Sequence, residues 1–222
     1  MGDNKSAFNA EEYDIKIKQT LPYYNDIYEQ VVELVKTFHY SAIRWLDVGC
    51  GTGKMGSIAL KKLRVEKFVF CDSSDEMIRM AKERFNNQKT EFSVCDVQKL
   101  AYTNEFDIVT AIQVNHYLHK AERAIALRKC YEALKDDGLF ISFENFAPFT
   151  DVGKSVCLEK WKRYQMEQGK SHEESNKHIE RYGKDYFPIS VTEHLELMRK
   201  TGFRVVEILW LSNMQAGFWG IK

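Results

Sequence analysis

No stretch of this 222-residue sequence approaches the roughly 18 consecutive apolar residues that a membrane-spanning helix needs, so no membrane partner is expected. The opening MGDNKSAFNAEEYD has no basic segment followed by an apolar one, and no secretory signal is read there. The five cysteines (Cys50, Cys71, Cys95, Cys130, Cys157) are odd in number, widely spaced and without a CxxC pair. That pattern excludes a disulfide frame and a zinc site, and points to reduced thiols in a cytoplasmic protein. Net charge is also missing: 32 Lys and Arg balance 32 Asp and Glu. A broad basic footprint for nucleic acid is therefore disfavoured, and the run Lys61, Lys62, Arg64, Lys67 reads as a solvated face. His172 and His178 stand six apart, off a shared helical face, so no metal is expected. No internal repeat or low-complexity tract is visible.

What is present is an alternation. From Ala42 to about Asn145, short β-rich runs (AIRWLDV, KFVFCD, TEFSVCD, FDIVTAIQ, LFISFEN) alternate with helical segments. Ser73 or Ser74 is the natural N-cap of SSDEMIRMAKERF, with Glu76 as the capping-box acid after Ser73. Strand–helix alternation predicts parallel βαβ units, an open sheet and helices on both faces. Before it, DIYEQVVELVKTFH presents Ile27, Val31, Leu34, Val35 and Phe38 on one side, as a helix packed on the sheet would. After it, residues 146 to 190 interrupt the rhythm with charged, aromatic-dotted helical stretches. VTEHLELMRKTG then ends in a Gly202 C-cap, and FRVVEILWL and QAGFWGIK are strands close enough in sequence to pair antiparallel.

The chemistry concentrates at strand ends. In LDVGCGTG, Asp47 precedes Gly49, Gly51 and Gly53, which lack the G-x-G-x-x-G spacing that seats a pyrophosphate on a helix N-terminus. A carboxylate beside phosphates would repel them, whereas it attracts an ammonium group. The turn thus favours a nucleoside bearing an amino acid over NAD. Asp72 closes the second strand, where two carboxylate oxygens suit two ribose hydroxyls. Asp96 closes the third, placed to accept from an adenine amino group beside the Val97 backbone. Met77 falls where it can lie on the adenine face.

LDVGCGTGK, CDSSDEMI, CDVQKL, FDIVTAIQVNHYL and LKDDGLFISFEN resemble the successive motifs of class I S-adenosylmethionine-dependent methyltransferases. The resemblance implies a Rossmann-like α/β fold, a doubly wound seven-stranded sheet of order 3-2-1-4-5-7-6 with strand seven antiparallel. It implies S-adenosyl-L-methionine as cofactor and S-adenosyl-L-homocysteine as product. By motif, Asp47, Gly49, Gly51 and Gly53 would hold the methionine end, Asp72 the ribose and Asp96 the adenine; Gln113 would line the wall near the sulfonium, and Cys50 and Ser73 belong to the same set. QTLPYYNDI and the segments after strand five are similar to the carboxy-S-adenosylmethionine synthase branch, enzymes of transfer-RNA wobble-uridine modification. By that similarity Tyr24 would close over the cofactor. That branch carries a GCSLG-like turn where this chain has GCGTG, and the nearest candidate for its carboxylate-binding arginine is Arg181.

A single domain over 1–222 is expected: an N-terminal helical cap (1–40), a cofactor-binding core (41–145), a helical lid (146–190) and a last helix with a strand pair (191–222). The leading reading is methyl transfer to a small-molecule acceptor. The alternatives are a carboxy-S-adenosylmethionine synthase-like enzyme and a non-catalytic cofactor-binding module; a homodimer is compatible with any of them. If a general base is needed, His116 and His119 are the candidates. Tyr117, Glu144, Trp161 and Arg181 are candidates for substrate contact, against packing or capping roles for the same residues. Cys50, Cys71 and Cys95 read as apolar filler near the cofactor rim.

Overall fold

The computed structural model describes residues 6, 8–85 and 89–222. Helices α1 (Ala10–Thr20) and α2 (Tyr24–Thr37) precede β1 (Ile43–Val48), α3 (Lys54–Lys62), β2 (Val65–Asp72), α4 (Asp75–Arg84), β3 (Thr90–Val94) and β4 (Phe106–Ile112). There follow α5 (Lys120–Ala133), β5 (Leu134–Asn145), α6 (Asp151–Glu167), α7 (His172–Ile179), α8 (Val191–Thr201), β6 (Val205–Ser212) and β7 (Gln215–Ile221). The seven strands form one sheet of order β3-β2-β1-β4-β5-β7-β6, parallel except for β7, which is antiparallel to both neighbours. The strand order and the antiparallel last strand agree with the sequence reading. The β6–β7 hairpin turns at Asn213 and Met214, where Asn213 takes positive φ at 51°.

The central strands are buried along nearly their whole length, as strands covered by helices on both faces must be. One core lies between the sheet and α2, α3 and α4, and is built on Val31, Val35, Trp45, Phe68, Phe70 and Ile108. The opposite core joins α5 and α8 to the sheet through Leu127, Cys130, Val109, Phe140, Met198 and Phe218. A third, small core holds the segment after β5 together around Trp161, Tyr186 and Met214.

Two local expectations are corrected. Ser74, not Ser73, caps α4: its hydroxyl accepts from the Met77 amide at 3.1 Å, so Glu76 falls outside the N3 position of a capping box. The N-terminal region holds two helices instead of one. α1 escaped detection because AEEYDIKIKQT is mostly polar, with only Ala10, Ile17 and Thr20 buried. This helix is gripped from both sides. Asp14 accepts from the Thr52 hydroxyl at 2.7 Å and pairs with Arg84 of α4. At its other end the Thr20 carbonyl accepts from the Trp161 indole at 2.6 Å, and the Lys18 carbonyl from the Tyr164 hydroxyl at 3.2 Å.

Candidate active site

The carboxyl ends of β1 to β4 open into a cavity of ≈ 780 Å³, counting its mouth. Such a crevice at the strand ends is where open α/β sheets hold ligands. Gly49, Gly51, Asp72, Ser73, Met77, Asp96, Val97 and Gln113 line it, together with Tyr13, Cys95, Tyr117 and Leu118. A smaller neighbouring cavity, ≈ 310 Å³, shares Gly49 and Gly51 and adds Tyr24, Asp47 and Cys50.

The glycine turn is shaped by its φ angles. Gly49 and Gly51 sit at 63° and 53°, where a side chain is strained. A Cβ on Gly49 would meet Val114 at 2.3 Å, whereas one on Gly51 would meet nothing within 4 Å. Gly51 therefore exposes bare backbone to empty space, as a close-fitting ligand requires. Its N–H donates to Asp72 Oδ2 at 2.9 Å, while the Ser74 N–H donates to Oδ1 at 3.0 Å. Asp72 thus ties the turn to the start of α4, and a carboxylate retains further lone pairs for ligand donors. Asp96 starts the short turn Val97–Lys99, accepting from the Gln98 amide at 2.9 Å.

Asp47 is fully enclosed. The Thr110 hydroxyl donates to its Oδ1 at 2.6 Å, and the Trp45 indole donates to Thr110 at 2.9 Å. Burial pushes the Asp47 pKa up to about 7, against the Thr110 bond and with a smaller push from Asp72; among the described residues no cation acts on it. A buried acid in this state gains from a positively charged ligand group that restores its ionised form. Gln113 is likewise poised. It holds positive φ, 60°, and its Nε2 is buried without a hydrogen-bond partner. A buried donor left over on a cavity wall is available to a ligand or an ordered water.

Several sequence candidates lie elsewhere. Gly53 caps α3 at φ 87° and does not line the cavity. His116 is buried behind it, with Nδ1 3.2 Å from Glu144 Oε2. Burial holds its pKa below the ordinary value although Glu144 opposes this. Glu144 also accepts from the Asn115 side chain at 2.9 Å and the His116 amide at 3.0 Å, so it braces the turn after β4 from within the core. His119 is exposed at the start of α5 and stacks on Phe187, with ring centroids 3.8 Å apart. Neither histidine reaches the cavity wall.

Trp161 and Tyr117 do meet at a third cavity, ≈ 320 Å³, which shares Tyr13, Gln113 and Tyr117 with the first. Arg181 lines an outer basin and pairs with Asp185 at 2.7 Å. Tyr13 was not anticipated, yet it lines three cavities. Its signal was present as the i, i+4, i+7 series Tyr13, Ile17, Thr20, masked by five charged neighbours within α1. Among the described residues no group of three or more His, Cys, Asp or Glu is gathered to hold a metal, and no helix is long and apolar enough to cross a membrane.

Residues 46–138 match the family model described as a methyltransferase domain. That match and the seven-stranded order support an S-adenosylmethionine-dependent methyltransferase enzyme similar to class I, with S-adenosylmethionine as cofactor and S-adenosylhomocysteine as product. Within that class it is similar to the carboxy-S-adenosyl-L-methionine synthase of Nautilia profundicola, 23% identical over 96% of this chain and 92% of the relative. The enzyme of the same name from Helicobacter hepaticus is 26% identical over 90% and 87%. In fold the chain is similar to YcgJ from Bacillus subtilis, at TM-score 0.65 and 15% identity over 87% of this chain and 98% of that one.

Proposed function

We propose that this enzyme transfers a methyl group from S-adenosylmethionine to a small-molecule acceptor by in-line displacement. The observation that carries this reading is Asp47, a buried acid on which no cation among the described residues acts, beside a glycine turn that opens on empty space. The residues fit the cofactor. Asp47 and the Gly49–Gly53 backbone would hold its amino-acid end, flanked by Cys50 and Tyr24. Asp72 and Ser73 would take the ribose, and Asp96, Val97 and Met77 the adenine. When bound, the cofactor supplies an electrophilic methyl group.

The chain's own work is then positioning and exclusion of water. Tyr13 and Tyr117 wall the passage from the first cavity to the third, and the orphaned Gln113 amide stands on both. Their aromatic and carbonyl surfaces suit a cationic centre. No proton-transfer role is assigned to His116 or His119, since neither lines a cavity. Residues 1–40 and 146–190 form the cap and lid that select the acceptor in this reading.

Incubation with methyl-labelled S-adenosylmethionine and a small-molecule extract tests it. Label in a small molecule with stoichiometric S-adenosylhomocysteine is expected; label confined to protein or RNA would overturn it. A second reading has its own support, because the similarity to carboxy-S-adenosylmethionine synthases runs through the segment after β5. Mass spectrometry of the same incubation separates the two. A cofactor that gains a carboxyl group, with no S-adenosylhomocysteine formed, favours the synthase-like enzyme.

A further inference from the structure

Beyond the cofactor cavity a chain of spaces leads outward. The first and third cavities share Ser6, Tyr13, Gln113 and Tyr117; the third and the outer basin share Ser6, Phe8 and His178. Phe8, Ile17, Leu21 and Trp161 give the middle stretch walls that suit an apolar body, interrupted by the polar groups of Gln113, Asn145 and His178. The outer basin, ≈ 1040 Å³ with its mouth, is lined by four cationic side chains, Lys16, Lys170, Lys177 and Arg181, against two acids, Glu174 and Asp185.

Three of those cations have acid partners: Lys16 with Glu12, Lys177 with Glu173 and Arg181 with Asp185. Lys170 has none within ion-pair distance among the described residues. It sits half-buried, donating to the Thr20 hydroxyl and, at 3.2 Å, to Gln165 Oε1, with its ammonium 4.9 Å from the Phe8 ring centre. An ammonium has three donors, so one remains. Burial draws its pKa down to about 8, against an opposing pull from Glu174 and with a smaller push from Lys16. Beside it His178 packs at 5.2 Å from the Trp161 ring, and its Nδ1 is buried without a partner. Burial pushes the His178 pKa to about 3, which suits a neutral hydrogen-bonding ring and not a proton acceptor near neutrality.

We infer that the acceptor is an acid with an apolar body, its carboxylate or phosphate held at the outer basin by Lys170 and the Nδ1–H of His178 while its other end reaches the cofactor cavity. This rests on the methyltransferase reading and adds the substrate class.

The test is calorimetry on the full chain saturated with S-adenosylhomocysteine. The probes are 3-phenylpropionate against its neutral amide, and phenethyl phosphate against phenethyl alcohol. At least one anion should bind about tenfold or more tighter than its neutral partner, the loss expected when a hydrogen bond to a charged group is absent. Lys170→Met should remove that preference, Lys170→Arg should retain most of it, and His178→Phe should reduce it by a smaller factor. The affinity for S-adenosylhomocysteine should not change in any variant. The better-bound anion tells carboxylate from phosphate. Equal binding of charged and neutral probes, an undiminished preference in Lys170→Met, or failure of both anions to saturate the protein would overturn the inference. So would tighter binding of an RNA oligonucleotide through Lys170. S-adenosylhomocysteine failing to bind at all would instead remove the methyltransferase reading beneath it.

Discussion

The two ends of the ligand path are built by opposite means. At the inner end, Asp47 and Asp72 lie at the carboxyl ends of β1 and β2 and Asp96 two residues beyond β3, and pairing of these parallel strands sets their spacing. At the outer end, Lys16 comes from α1, while Lys170 and His178 come from the α6–α7 connection and α7, more than 150 residues further along the sequence. The inner end is a product of the sheet, and its residues are held whatever the acceptor is. The outer end exists only because α1 meets the segment after β5. In the proposed reading, recognition of a constant cofactor sits on the rigid frame, and recognition of the acceptor sits where the frame is interrupted.

The comparison can be broken by substitution. Asp72→Ala should have the largest effect, lowering affinity for S-adenosylhomocysteine about a hundredfold or more, since it removes charge-assisted acceptors and the Gly51 tether together. Calorimetry checks this, and retained affinity would sink the ribose assignment. Trp161→Ala strikes the other end. It opens the small core and strands the Thr20 carbonyl, so the loss of stability should reach about 3–5 kcal/mol by chemical denaturation. Cofactor affinity should shift far less than acceptor KM; the reverse pattern would erase the distinction between the two ends.

Asp47→Asn separates stability from binding. The folded-state pKa of Asp47, about 7, lies above its ordinary 3.8, so the native protein holds this proton more tightly than the unfolded chain. That contribution is fully present below about pH 4 and is lost as pH rises toward 7. The amide should therefore stabilise the unliganded protein at pH 8, by about 2–4 kcal/mol if most of the shift is realised, while weakening cofactor binding. Urea midpoints at pH 4 and pH 8 measure the first effect and calorimetry the second. An effect of opposite sign belongs to His178 and His194, whose burial pulls their pKa values to about 3 and about 4. Neutral when folded, they add stability above about pH 6.5 that declines as pH falls toward 4. His194→Gln should flatten part of that decline in acid denaturation curves.

The unequal legibility of the two ends has the same origin. Strand periodicity and the three acids were visible because each motif is local and the sheet brings neighbouring motifs together by rule. Tyr13 was hidden in a polar helix, and His178 stood in the sequence only as one of a spaced pair of histidines. His116 misled for a related reason: its place after β4 put it near the site in sequence, but the turn Asn115–Tyr117 faces it inward to Glu144. Arg181 and Trp161 are candidates for substrate contact by residue type, but no spacing in the sequence foretells that one lines a basin and the other a passage.

Helix α1 draws a last consequence from its two anchors. Asp14 fastens it to Thr52 in the glycine turn, and Thr20 fastens it to Trp161 and Lys170. A ligand that tightens either anchorage reports through one short rod to the other. Any such coupling is reciprocal by thermodynamic necessity: the factor by which the cofactor raises acceptor affinity equals the factor by which the acceptor raises cofactor affinity. Cutting the Asp14–Thr52 link should pull both factors toward unity together, turning a pair of communicating sites into two independent ones.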